Sequence, residues 1–137
     1  MECIISGGRK FNEPEILYPV MDYFVKEYNI TKIISGGALG ADTIARFYAK
    51  EKNIDFKEYK ITKEEWDRLG KAAGPIRNRQ MLDENNIGIV IGFKGWRGTP
   101  DMLDYATSKR VIAFHVTNEN KIINWLTKDV IGEINDD

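Results

Sequence analysis

The sequence predicts a doubly wound, mainly parallel Rossmann-like α/β sheet of about five strands with helices on both faces, forming one domain over residues 1–137. Short β-branched runs alternate with stretches of helical apolar spacing, which is the first reason. The second is Ile87 to Phe93, continuously apolar as in a strand covered on both faces. The third is that strand after strand ends on glycine.

Glu2 to Ser6 reads as a short buried strand ending at Gly7-Gly8-Arg9. Asn12 to Glu15 then resembles a capped helix start, with Asn12 as N-cap and a Glu three residues on. Ile16, Leu17, Val20, Met21, Phe24, Val25 and Tyr28 follow on one broad face, and Pro19 predicts a kink or a late start. Ile30 to Ser35 is the second strand. The next helix carries Ala41, Ile44, Ala45, Tyr48 and Ala49, small enough to pack closely on a sheet. Asn53 to Tyr59 sits where a third strand belongs. Thr62, with Glu65 three residues later, caps a short helix to Leu69. Ala73-Gly74-Pro75 breaks the chain before a helix from Ile76 to Glu84. After the strand at Ile87, Thr99-Pro100-Asp101 forms a helix start with Thr99 as N-cap. Arg110 to His115 is the last strand. Asn118 caps a final helix with Ile122, Ile123 and Leu126 inward, and residues 132–137 form a frayed polar tail.

The totals exclude several classes. Twenty basic and 21 acidic residues give a net charge of −1, so no global attraction draws the chain to nucleic acid or an anionic membrane. One cysteine, Cys3, rules out an internal disulfide, and one Cys with one His argues against a zinc site. No metal or other cofactor is expected. No apolar stretch reaches the length of a membrane span, and the first strand begins too early for a signal peptide, so a cytoplasmic protein is expected.

In an open parallel sheet, ligands bind beyond the C-terminal strand ends, where the strand order reverses. Three glycine-bearing loops open on that edge. Ser35-Gly36-Gly37-Ala38-Leu39-Gly40-Ala41-Asp42 joins a strand to a helix start, whose free N–H groups and positive dipole end suit a phosphate. Gly7-Gly8-Arg9, by itself a tight turn with a solvated Arg, becomes another wall of the same cleft. Gly95-Trp96-Arg97-Gly98-Thr99 offers N–H groups, a hydroxyl and an aromatic surface. Either Trp96 or Trp66 is the candidate to stack on a base, or both are hinge packing. Arg77 and Arg79 flank Asn78 and diverge by roughly 200° on a helix, so one of them, not both, clamps phosphate from the interior. Asp42 and Asp101 sit at helix starts, where dipole pairing is the ordinary role, and His115 reads as structural.

Three motifs in this order resemble the SLOG superfamily, which joins the DNA-processing SMF proteins to the Lonely Guy phosphoribohydrolases. They are Ser35-Gly36-Gly37-Ala38-x-Gly40-Ala41-Asp42, Ala73-Gly74-Pro75-x-Arg77-Asn78-x-x-Met81 and Gly95-x-x-Gly98-Thr99-x-Asp101-Met102. The small stand-alone YspA-like branch of bacteria and phages is the nearest likeness, from Ile4 to about His115. The resemblance implies a nucleotide-binding domain in which Gly36, Gly37, Gly40, Gly98 and Thr99 hold phosphate or ribose. Arg77 matches the arginine of the phosphoribohydrolases' Arg-x-x-x-Met signature. Their Glu, in Pro-Gly-Gly-x-Gly-Thr-x-x-Glu, falls here on Met102, and Lys94-Gly95-Trp96 replaces Pro-Gly-Gly. Asp101 lies one place earlier, turned by roughly 100°.

The resulting expectation is a binding module for a nucleotide-derived small molecule, such as an ADP-ribose or cyclic-nucleotide derivative. A phage sponge that blunts a host immune signal is one concrete form. The alternative is a phosphoribohydrolase in which Arg77 clamps phosphate and Asp101 (or Asp42) stabilises an oxocarbenium-like transition state. The charge balance speaks against DNA binding. A homodimer or higher oligomer through the apolar first helix stays open.

Overall fold

The computed structural model describes residues 1–37, 39–95 and 97–134. Five parallel strands are β1 (Glu2–Ser6), β2 (Lys32–Ser35), β3 (Asp55–Glu58), β4 (Ile87–Gly92) and β5 (Ile112–Val116). Two antiparallel strands extend the sheet, β6 (Lys121–Asn124) and β7 (Val130–Glu133), giving the order β3-β2-β1-β4-β5-β6-β7. The helices are α1 (Pro14–Tyr28), α2 (Ala41–Glu51), α3 (Lys63–Leu69), α4 (Ala73–Asp83) and α5 (Gly98–Ser108).

The period-two alternation of side chains divides the strands between two cores. Cys3, Ile5, Ile33, Ile89 and Ile91 face α1 and α2, where Leu17, Met21, Phe24, Ala45 and Tyr48 are buried. Ile4, Ile34 and Val90 face the opposite way, onto Met81 and Leu82 of α4 and Met102, Leu103 and Ala106 of α5. Both faces are therefore covered, which explains why the β1 and β4 runs are apolar without interruption. The chain winds from β1 outward to β3, then crosses back to β4 beside β1. The reversal falls between β1 and β4.

Several expectations need correction. Among the described residues the sheet has seven strands rather than about five, because the stretch read as a final helix forms a hairpin. Thr117 and Lys121 close its first turn, with Asn120 in the left-handed region at φ 60°, and Ile122 and Ile123 pair with β5. Lys128, at φ 66°, turns the chain into β7, which takes in Gly132 and Glu133 of the expected frayed tail because Gly132 pairs with Ile122. The spacing of Ile122, Ile123 and Leu126 fitted a helix, yet Leu126 is 73 % exposed. Residues 135–137 lie outside the described residues.

Helix boundaries also moved. α1 starts at Pro14 after Glu13, with no side-chain cap: Ile16 N donates to the Glu13 carbonyl at 2.9 Å, and the Glu13 carboxylate is drawn to Lys94 Nζ at 3.0 Å. α1 runs through Pro19, which is exposed, so the carbonyl it leaves without a partner can be hydrated. α4 begins at Ala73, so Gly74 and Pro75 occupy a first turn, where a missing N–H costs nothing. α5 begins at Gly98 after Arg97, because Thr99 is 2 % exposed and packs inward rather than capping. The Thr62–Glu65 box at α3 is present in full.

Candidate functional site

The loops that follow β1, β2 and β4 meet backbone to backbone at the sheet's C-terminal edge. Gly8 N donates to Lys94 O at 2.8 Å, and Gly8 O accepts from Phe11 N and Ala41 N. A Cβ on Gly8 would stand 3.0 Å from Gly95 Cα, and one on Gly40 would stand 2.5 Å from Gly8 O. Such contact leaves room only for glycine. Gly37 adds a second requirement, with φ +79° and Lys60 packed against it. The sequence therefore places glycine where three loops touch, and the touching loops build one junction over the β1–β4 reversal.

Arg77 reaches this junction from α4. Its Nη1 donates to Gly36 O at 2.8 Å, and its guanidinium covers Gly36 so closely that a Cβ there would lie 2.7 Å from Cζ. Nη2 lies 3.4 Å from Asn78 Oδ1. Asn78, 1 % exposed, passes the linkage on: its Nδ2 donates to Gly98 O at 3.2 Å and to Asp101 Oδ2 at 3.0 Å. Arg79 points elsewhere, pairing with Asp101 Oδ2 at 3.1 Å and with Pro75 O. The two arginines thus diverge as helix geometry requires. A continuous polar chain ties the Gly36 loop to the first turn of α5.

Beneath the Gly36 loop sits a carboxylate pair. Asp42, in the first turn of α2, is 4 % exposed. Burial raises its pKa above the ordinary carboxylate value, and Glu58 adds to the rise, outweighing the Ser35 hydroxyl and Gly37 N–H. Glu58, at the end of β3, goes the other way. Burial alone would raise it, but Lys60 and Asp42 hydrogen bonds and the charges of Lys60 and Arg46 hold it low. Lys60 Nζ is 3.1 Å from Glu58 and Arg46 is 3.7 Å from it. Asp42 is therefore the member of the pair that takes up a proton more readily. Asp42 Oδ1 and Arg77 Nε are both buried without a hydrogen-bond partner among the described residues, a costly state for two polar atoms. Arg77 is correspondingly pulled below its usual pKa by burial, with Asp42 opposing.

The structure brings together Gly7, Gly8, Gly36, Gly37, Gly40, Asp42, Arg77, Asn78, Gly95, Gly98, Thr99 and Asp101. Thr99 is buried over Gly92 and Gly95, so its methyl and hydroxyl pack rather than face solvent. The Arg9 backbone lies against Gly40, while the Arg9 residue as a whole is exposed, as is Arg97. Trp66 is 43 % exposed on α3, and none of its described contacts joins it to the loops. Ala38 and Trp96 lie outside the described residues. Sequence reasoning missed Ser35, Glu58, Lys60 and Lys94. The signal for Glu58 and Lys60 was their place at the end of β3, on the same sheet edge.

Residues 1–65 match the model of a family described as YspA, cpYpsA-related SLOG. That stretch holds Gly7-Gly8, Gly36-Gly37, Asp42 and Glu58 and stops before Arg77. No curated protein matches the chain.

Proposed function

This chain belongs to the SLOG superfamily, and from that premise we propose that it binds a nucleotide or nucleotide-derived small molecule at the glycine junction. The observation that carries the reading is the pair of buried, unpartnered polar atoms, Arg77 Nε and Asp42 Oδ1, beside backbone loops that admit no side chain. One is a donor and the other an acceptor, which suits a ligand offering phosphate oxygens and hydroxyls together. Helix starts support it further. Asp42, the acid in the first turn of α2, has a pKa raised by burial, so it offsets the positive dipole end less fully than a solvated carboxylate and leaves part of that field for an anion.

Sequestration or sensing fits this site better than cleavage. Asp101 Oδ2 is already engaged by both Asn78 and Arg79, so it stands as a positioned anion rather than a free base. A phosphoribohydrolase remains the second reading, favoured by one observation: Asp42 is a buried carboxyl beside Glu58 whose pKa is raised, the direction a general acid needs. Calorimetry and thermal shift with AMP, ADP and ADP-ribose test the first reading. Saturable binding that Arg77→Ala weakens by at least about tenfold supports it, and no binding across the panel overturns it. Chromatography of the same mixtures for free base tests the second.

A further inference from the structure

Beyond the ends of β4 and β5 lies an open cavity of about 400 Å³ whose lining includes Lys94, Gly95, His115, Thr117, Glu119 and Lys121. That volume falls within the range of small-molecule sites. Gly95 belongs to both places: it lines the cavity, and it lies against Gly8 in the junction. The cavity therefore continues the candidate cleft on the far side of the β1–β4 reversal.

His115 gives this cavity its chemistry. Its Nδ1 is 2.9 Å from Gly92 O, and a carbonyl oxygen only accepts, so Nδ1 carries the hydrogen. Trp125 meets the ring edge-on at 5.6 Å and fixes its plane. Burial, with the nearby Lys128 charge, pushes the imidazole below its ordinary pKa despite the Gly92 bond, so the ring is neutral at pH 7. Nε2 then offers a lone pair. A lone pair reads a hydroxyl or amino donor and repels a bare phosphate oxygen. Cations stand on the rim instead: Lys121 is only 3.8 Å-paired with Glu119, whereas Lys94 is tied to Glu13 at 3.0 Å.

We propose that this cavity is a second subsite of the same cleft, taking the sugar-bearing far half of a two-part nucleotide, with a hydroxyl of that half donating to His115 Nε2. The inference rests on the binding function proposed above and names the ligand class. The geometry of the sheet supports it, because the two sides of a strand-order reversal are where the halves of a dinucleotide lie.

Calorimetry on the full chain distinguishes the two levels. AMP probes the junction alone; ADP-ribose and a 3′,5′-linked diadenosine monophosphate probe both sites. At least one two-part probe is expected to bind about tenfold or more tightly than AMP. His115→Asn keeps a donor near Gly92 O and removes Nε2; it should abolish most of that gain while AMP affinity holds. Should that variant not fold, as judged by circular dichroism, Lys121→Ala at the rim carries the same criterion. Two-part probes no tighter than AMP, or a gain that survives the substitution, overturn the second subsite and leave the junction reading standing. If AMP and both longer probes all fail to bind, both readings fall.

Discussion

Arg77 does two things with one guanidinium: it closes the Gly36 carbonyl and leaves Nε unengaged in a buried place. Arg77→Ala removes the donor to Gly36 O and should lower stability by roughly 1–3 kcal/mol, read by denaturant unfolding. Arg77→Lys should recover part of that stability but little ligand affinity, because an ammonium cannot fork onto two partners in a fixed plane. Asp42 makes a pH prediction. Its folded-state pKa lies above the ordinary 3.8, so the fold favours the protonated form. That stability is complete below the unfolded pKa and is lost as pH rises through the folded value. Asp42→Asn should therefore gain on the parent protein as pH increases between about 4 and 8 in chemical denaturation. A constant difference across that range would mean Asp42 is ionised throughout. The residues of this site were legible by type, since glycine, arginine and acid stood at the expected spacing. The Asp42–Glu58 partnership was not, because it joins α2 to β3 across a loop whose path no pattern of apolar residues specifies.

The Thr62–Glu65 box shows what an element can and cannot do alone. Thr62→Ala should cost the helix about 1 kcal/mol. Yet α3 has no fully buried residue, so its loss should appear as faster amide exchange in residues 63–69 with the global midpoint almost unmoved. A shift of the whole transition would show that α3 is coupled to the core. Local chemistry of this kind reads well from sequence, as Thr62 demonstrates. It misled at Thr99, where a good capping residue is instead buried over Gly92 and Gly95. It misled again at Ile122 and Ile123, whose spacing suits a helix as well as a strand. What decided for the strand was β5, which has an open edge to pair with, and tertiary pairing of that sort overrides periodicity.

For the molecule as a whole, the parallel order and two-sided core followed from the uninterrupted apolar strands, whereas the antiparallel extension did not. That extension protects β5: Ile122 is 7 % exposed within the same core as Phe114 and Val116. Truncation after Val116 should expose the β5 edge and yield aggregated protein, measured as soluble fraction and light scattering. A soluble, monomeric product with an unchanged midpoint would show β6 and β7 to be dispensable. The junction itself is a whole-molecule property, since Gly8 is bonded both to Ala41, 33 residues on, and to Lys94, 86 residues on. Such contacts join late, after the costly closing of long chain loops. Refolding should accordingly pass through a stage in which helical signal has returned while a fluorescent nucleotide is still not captured. On the binding reading proposed above, a copy whose Gly8 contacts have not yet closed would capture no nucleotide.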